Sequence, residues 1–565
     1  MRPTAYNQPV VHTNFSYRLR SAIQLAATLG AVLAFALTTT ANARGQAASE
    51  SGRILLVLPF DNATGQPSLE WIREAAPEIL SSRFASAGFA AMSRQDRRYA
   101  LDHLGLPEGF HPSRATALKL AETLDADSII VGSYVTEGTG IVAQAQIVDV
   151  PHLRMSEPVT ARGQMVDLIT VFDELAWKLT RQLDPGFKGA EETFVAAGKG
   201  LRVDAFEQYI RGITEPDQAE RLRHLQSAVK LSPEFGPAWM ALGREDYNGQ
   251  QYEEAADAFA KVGRGEPDAL EAGFYGGLSL IFSGDYEKAE AAFAGVARIL
   301  PLAEVVNNQG VAVSRQGHDG SVFFRHAVAA DPTNADYHFN LAVSLKRRGN
   351  AAEALTELAQ CLVLRPNDSE AQDLDALWKQ PGGVKSAGYK LFPKSASSPL
   401  SDPVAELKAD PLERIARNFD AVAFRQAALM MDQMEASRLA VLTPRERAQK
   451  LADQARDYLD RGLLLEAERL YLSAVAADGK VAQAHEGLAE VRERTGDAAA
   501  ARKEARTALK LEPSADAYLV LGRLDLAEGQ TGEADKEADE ALRLAPQSPA
   551  AHQLQQQIKN REGLQ

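Results

Sequence analysis

The residues of this chain best equipped for chemistry are suited to holding a peptide, not to breaking a bond. Asn307 and Asn308 in one stretch, and Asn340 in another, carry side-chain amides. An amide donates and accepts at once, so it can pair with both groups of a peptide backbone. Arg315, Lys346 and Arg347 add positive charge that could hold a carboxylate, and Phe339 falls in the same set. In a chain of formal charge -15 such a local basic cluster is informative. The ligand these residues imply is an extended acidic segment or the C-terminal carboxylate of another protein. A second candidate is the loop of Asp61, Asn62 and Thr64, which follows a short apolar run and could meet a small ligand. Turn chemistry of Asx and Gly residues accounts for the same loop.

Reaction chemistry finds no support. Gly198-Lys199-Gly200 lacks the upstream Gly and the following Ser or Thr of a phosphate loop. There is no HExxH, CxxC or GxSxG. The ten histidines are scattered, and none pairs at metal-ligand spacing. His338, His485 and the lone Cys361 read as packing residues. No catalytic residue, metal or cofactor is expected. The acidic balance opposes a phosphate backbone, so nucleic acid is not an expected partner.

The elements that must position the candidate residues repeat. Tyr252 and Tyr286, Ala255 and Ala289, Phe259 and Phe293, and Pro267 and Pro301 match at a distance of 34 residues, as do Ala467 and Ala501 further on. That period with these residue types resembles the tetratricopeptide repeat (TPR) family. The resemblance implies stacked helix–turn–helix units that scaffold protein assemblies without catalysis. In that family, positions 2, 5, 6, 9, 12 and 13 of the first helix line a concave groove. This places Asn307, Asn308, Arg315, Phe339, Asn340, Lys346 and Arg347 in one. The expected fold is mainly α: two TPR solenoid arrays, residues 202–379 and 444–561, the second closing with a cap helix, behind a small α/β domain at 53–187. Residues 380–409 are rich in Pro, Gly, Ser and Lys and read as a linker. Asp410-Pro411-Leu412-Glu413 has the form of a capping box with Pro in the first turn, which predicts a helical pair over 410–440.

Strand and helix patterns alternate over 53–187 and include a hairpin with a glycine-rich turn near 137–140. Ile54 to Asn62, Ala126 to Tyr134 and Asp149 look like the TolB amino-terminal-like domains that accompany such repeats in bacterial envelope proteins. At the N-terminus, Arg18 and Arg20 precede an apolar run from Ala22 to Leu37 and the small-x-small site Ala41-Asn42-Ala43. This reads as a signal peptide cleaved after about Ala43, giving a periplasmic protein. A retained inner-membrane anchor over 22–40 is the alternative. The functional expectation is an exported scaffold of the cell envelope that binds other proteins and meets membrane only through them. The alternative is a ligand or glycan sensor whose α/β domain binds a small molecule and whose arrays relay the signal.

Overall fold

The structure, a computed structural model, describes residues 54–107, 113–380, 411–419 and 421–562. The expected signal segment, and all of the linker but its first residue, lie outside these. Among the described residues there are 24 helices and one sheet.

The run Ile54–Val57 (β1) is apolar throughout because both of its faces are covered. Leu55 and Val57 join one core with the helices Ile72–Ser86 and Leu168–Leu183. Leu56 and Leu58 join another with the helices Arg94–His103 and Arg114–Thr123. The result is a three-layer α/β/α domain. Its other strands are Asp61–Asn62 (β2), Ala90–Ala91 (β3), Ser128–Glu137 (β4), Gly140–Asp149 (β5), Arg154–Met155 (β6) and Val159–Gln164 (β7). The central order is β3-β1-β4-β5-β6. β1 runs parallel to β3 and β4, and β4 and β5 form the antiparallel hairpin, with Ser128 opposite Asp149. The helix after β2 is divided: a 3-10 turn at Pro67–Leu69 precedes Ile72–Ser86, and Pro77 sits inside the latter. Pro77 has no N–H to offer the Arg73 carbonyl one turn back. Phe60 donates its backbone N–H to that carbonyl instead, at 3.1 Å, and so couples the end of β1 to the helix.

Helical pairs follow from Val203 to Leu364 with the helix Ser369–Trp378 behind them, and again from Pro444 to Leu544 with Pro549–Glu562 behind those. Small residues set how closely the paired helices approach. A Cβ placed on Gly277 would lie 2.7 Å from the Phe293 ring, and one on Gly243 would lie 2.8 Å from Phe259. Successive pairs are joined by a polar lock. The ring nitrogen at the fourth position of a helix pairs with the carbonyl six residues back: Trp239 with Pro233, His338 with Pro332, His485 with Gly479 and His552 with Pro546, at 2.7–3.1 Å.

The second array returns to the α/β domain. Leu465 enters the same core as Phe172 and Phe194. The Glu468 carboxylate, buried at 1% exposure, accepts the Ala190 N–H at 3.2 Å and pairs with Arg492 at 2.5 Å.

Candidate functional site

Residues 411–419 are extended and lie in the groove of the first array. This corrects the expected helical pair over 410–440: the described part of that stretch contains one helix, Ala421–Ala440. The groove outbids a helical turn here. A short isolated helix is marginal, whereas the N–H and C=O of Arg414 and Ala416 and the side chains of Glu413 and Arg414 all meet partners in the groove.

The helices Ala303–Arg315 and Ala335–Arg347 supply the asparagines. Asn308 and Asn340 are fully buried. Asn340 accepts the Arg414 N–H at 2.6 Å and donates to the Arg414 carbonyl at 2.7 Å. Asn308 does the same to Ala416, at 2.9 and 2.8 Å. Asn307 donates to the Arg414 carbonyl at 3.1 Å, and its own carbonyl accepts from Asn340 at 2.8 Å. The three amides therefore form one network that recognises backbone.

Side chains of the segment divide by charge. Glu413, 2% exposed, enters a basic pocket. It pairs with Arg347, accepts from the Ser314 hydroxyl and lies 3.3 Å from the Arg315 guanidinium. Arg315 also donates to the Glu413 carbonyl at 3.1 Å, and Arg347 to the Pro411 carbonyl at 2.8 Å. Burial pulls the Arg315 pKa down, and Glu413 opposes that pull. Arg414 points into an acidic pocket on the other side. It meets Asp336 at 2.9 Å, Asp368 at 2.6 Å and Glu370 at 2.8 Å, with its guanidinium 3.6 Å above the Phe339 ring. Burial works against the charge on Arg414, but hydrogen bonds to Asp368, Glu370 and Asp336 outweigh it and raise its pKa. The bond from Arg414 holds the Asp368 carboxyl below its usual range. Phe419 ends the segment, 5.5 Å from the ring of Phe274.

Of the groove residues expected from sequence, Asn307, Asn308, Arg315, Phe339, Asn340 and Arg347 meet on this segment. Lys346 does not: its ammonium lies 5.4 Å over the Trp378 ring. The chain's own segment in this groove is mixed, an acid followed by a base, and its acid meets Arg315 and Arg347. Sequence reasoning missed Ser314, Asp336, Asp368 and Glu370. Ser314, Asp336 and Glu370 could have been found: Ser314 holds position 12 of its helix, and Asp336 and Glu370 hold position 2 of theirs, 34 residues apart; Asp368, the cap before the helix Ser369–Trp378, lies outside any groove position.

The loop at Asp61, Asn62 and Thr64 closes on itself. Asn62 Oδ1 accepts from the Thr64 N–H at 3.0 Å and from its hydroxyl at 2.6 Å. Asn62 Nδ2 donates to Gln66 and Glu70. Asp61 and Asn62 form β2 and pair with Ser133 and Tyr134 of β4. This is an Asx turn on a sheet edge in which the side chains of Asn62 and Thr64 are occupied within the loop and by Gln66 and Glu70. Among the described residues no cluster of His, Cys, Asp and Glu could hold a metal ion.

Residues 323–356, 452–516 and 494–549 match models of the tetratricopeptide repeat. The chain thus carries tetratricopeptide repeats in both arrays. No curated protein matches it in sequence. Among solved structures, YrrB, described as a TPR protein with an unusual peptide-binding site, aligns at 16% identity over 36% of this chain and 98% of its own, with a TM-score of 0.28. MamA from Desulfovibrio magneticus RS-1 aligns at 22% identity over 30% of this chain and 99% of its own, with a TM-score of 0.27. The C-terminal domain of LpoB from Salmonella enterica aligns at 20% identity over 21% and 87%, with a TM-score of 0.18.

Proposed function

We propose that this chain is a non-catalytic scaffold that binds partner proteins as extended peptides through its repeat grooves, in the bacterial cell envelope. One observation carries the reading: residues 307–347 hold an extended peptide by its backbone, the peptide being residues 411–416 of the same chain. Backbone recognition by buried amides is independent of side-chain identity, so the same surface suits a peptide from another protein. Export rests on the Arg18, Arg20 and Ala41-Asn42-Ala43 pattern, and the envelope setting on the TolB-like strand motifs. Among the described residues no helix is long and apolar enough to cross a membrane.

Two measurements test this. Crosslinking and affinity capture from intact cells should recover a different partner set with Asn308→Ala/Asn340→Ala/Arg347→Ala than with the wild-type chain. An identical set would defeat the groove reading. A phosphatase reporter fused to the chain, active only outside the cytoplasm, should be active; an inactive fusion would defeat the envelope reading.

A further inference from the structure

We propose that residues 411–419 are a displaceable self-ligand, and that the partner of the first-array groove is an extended peptide carrying a Glu–Arg pair in that order. The inference rests on the groove reading above and deepens it.

Two properties of the segment support it. First, it is held as a ligand is held. The solenoid packs its own helices with Ala, Phe and Leu side chains at full burial. The segment is held through carbonyls, N–H groups and two charged side chains, with Ile415 and Phe419 packed against the first-array core; Arg417 and Asn418 are exposed, and Leu412, Ile415 and Ala416 only half-buried. A covalently tethered ligand benefits from a high effective concentration, so a free peptide of similar chemistry competes only when the tether's contacts are weakened or its own are better. Second, the two pockets have opposite sign and fixed positions. Glu413 sits between Arg315 and Arg347, and Arg414 sits among Asp336, Asp368 and Glu370. Both are spaced for adjacent residues of a strand whose backbone register is set by Asn308 and Asn340. Reversing the pair would set Arg against the two guanidiniums and Glu against three carboxylates, which is a repulsive arrangement.

The test uses the full chain and two synthetic peptides, residues 410–419 and the same peptide with Glu and Arg exchanged, followed by fluorescence anisotropy. Glu413→Ala/Arg414→Ala, which weakens the tethered segment, should bind the native-order peptide at least tenfold more tightly than the wild-type chain does. Exchange of Glu and Arg should cost at least tenfold, and Arg347→Ala added to the double variant should abolish binding. Equal binding by wild type and variant, equal binding of the two peptides, or no binding by a cooperatively melting variant would overturn the proposal. Should the double variant not melt cooperatively, Glu413→Gln/Arg414→Gln is read by the same criteria. A wild-type dimer in solution that dissociates in the double variant would also overturn it, by assigning the segment to the groove of a second copy. If peptide binding holds while the envelope partners are unchanged by groove substitution, the self-ligand stands and the scaffold reading falls.

Discussion

Asn308 and Asn340 hold equivalent places in successive repeats and grip one strand two residues apart, at Ala416 and Arg414. In an extended chain, alternate residues turn N–H and C=O to the same side, about 7 Å apart. One repeat of the solenoid therefore corresponds to two residues of ligand. The earlier repeat takes the later residue, so the peptide runs against the order of the repeats. A helix cannot offer residues 414 and 416 in this way, because its backbone groups are already paired within it.

Removing one of these amides should be felt in both stability and local opening. Asn340→Ala leaves the N–H and C=O of Arg414 without that partner, a cost of about 1–3 kcal/mol. Urea unfolding measures the loss. Amide exchange at Arg414 and Ala416 should accelerate well beyond exchange in the helix Ser369–Trp378. Unchanged exchange at both amides would contradict the clasp.

Glu413→Ala should cost more than any single asparagine change. It strands the guanidiniums of Arg347 and Arg315 in a pocket shaped for a carboxylate. Breaking such a buried pair costs about 3–5 kcal/mol, and rehydration of the groove as the segment leaves should keep the loss near the lower end. Glu413→Gln retains an acceptor and should lose less. Denaturant midpoints of the two variants decide the order.

The second array contains a pH-responsive pair. His485 Nδ1 and Glu504 Oε2 lie 2.6 Å apart. The bond raises the imidazole pKa against the downward pull of burial and lowers that of the carboxyl. The histidine's contribution is complete below its unfolded pKa of about 6.5 and is lost as pH rises through the raised folded value. The carboxylate's contribution is present above its unfolded pKa of about 4.3 and is lost as pH falls through the lowered folded value. His485→Gln should therefore be least stable relative to wild type near pH 5–6, with the gap narrowing toward pH 9. A gap independent of pH would refute the assignment.

Much of the solenoid was legible in the chain because its rules are local. A Gly at one position and a Phe sixteen residues later mark two helices in contact, as at Gly277 and Phe293. The asparagines were legible for the same reason: their place in a repeat fixes the direction they face. The occupant of the groove was not. Pro411 and Glu413 carry good local helix signals, and only partners of the segment 44 to 108 residues away in sequence overrule them. The acidic pocket follows the same pattern in part: Glu370 repeats Asp336 at the 34-residue period, whereas Asp368 is the cap of the helix behind the last repeat.

Cys361 should behave as an inert thiol. It is fully buried, and burial pushes its pKa up to about 11. An aromatic disulfide reagent should label it at the rate of unfolding and no faster. Rapid labelling in the native protein would contradict this packing.

Gly487→Ala tests the small-residue contacts of the second array. An added Cβ would fall 1.9 Å from the ring of Tyr471, itself 1% exposed. A buried ring has little freedom to yield, so overpacking should cost about 1–3 kcal/mol. A paired Tyr471→Leu change should recover part of it. Thermal melts of the single and double variants make the comparison.

The bond between the Glu468 carboxylate and the Ala190 N–H joins residues 278 positions apart. Solenoids otherwise fold through neighbours, each unit completing the next, which favours rapid assembly from local nuclei. Closure at Ala190 obeys a different clock. It requires both the α/β domain and the helix Leu464–Ala477 to be in place. During synthesis, the first half of the chain is complete well before the element that seals it emerges from the ribosome.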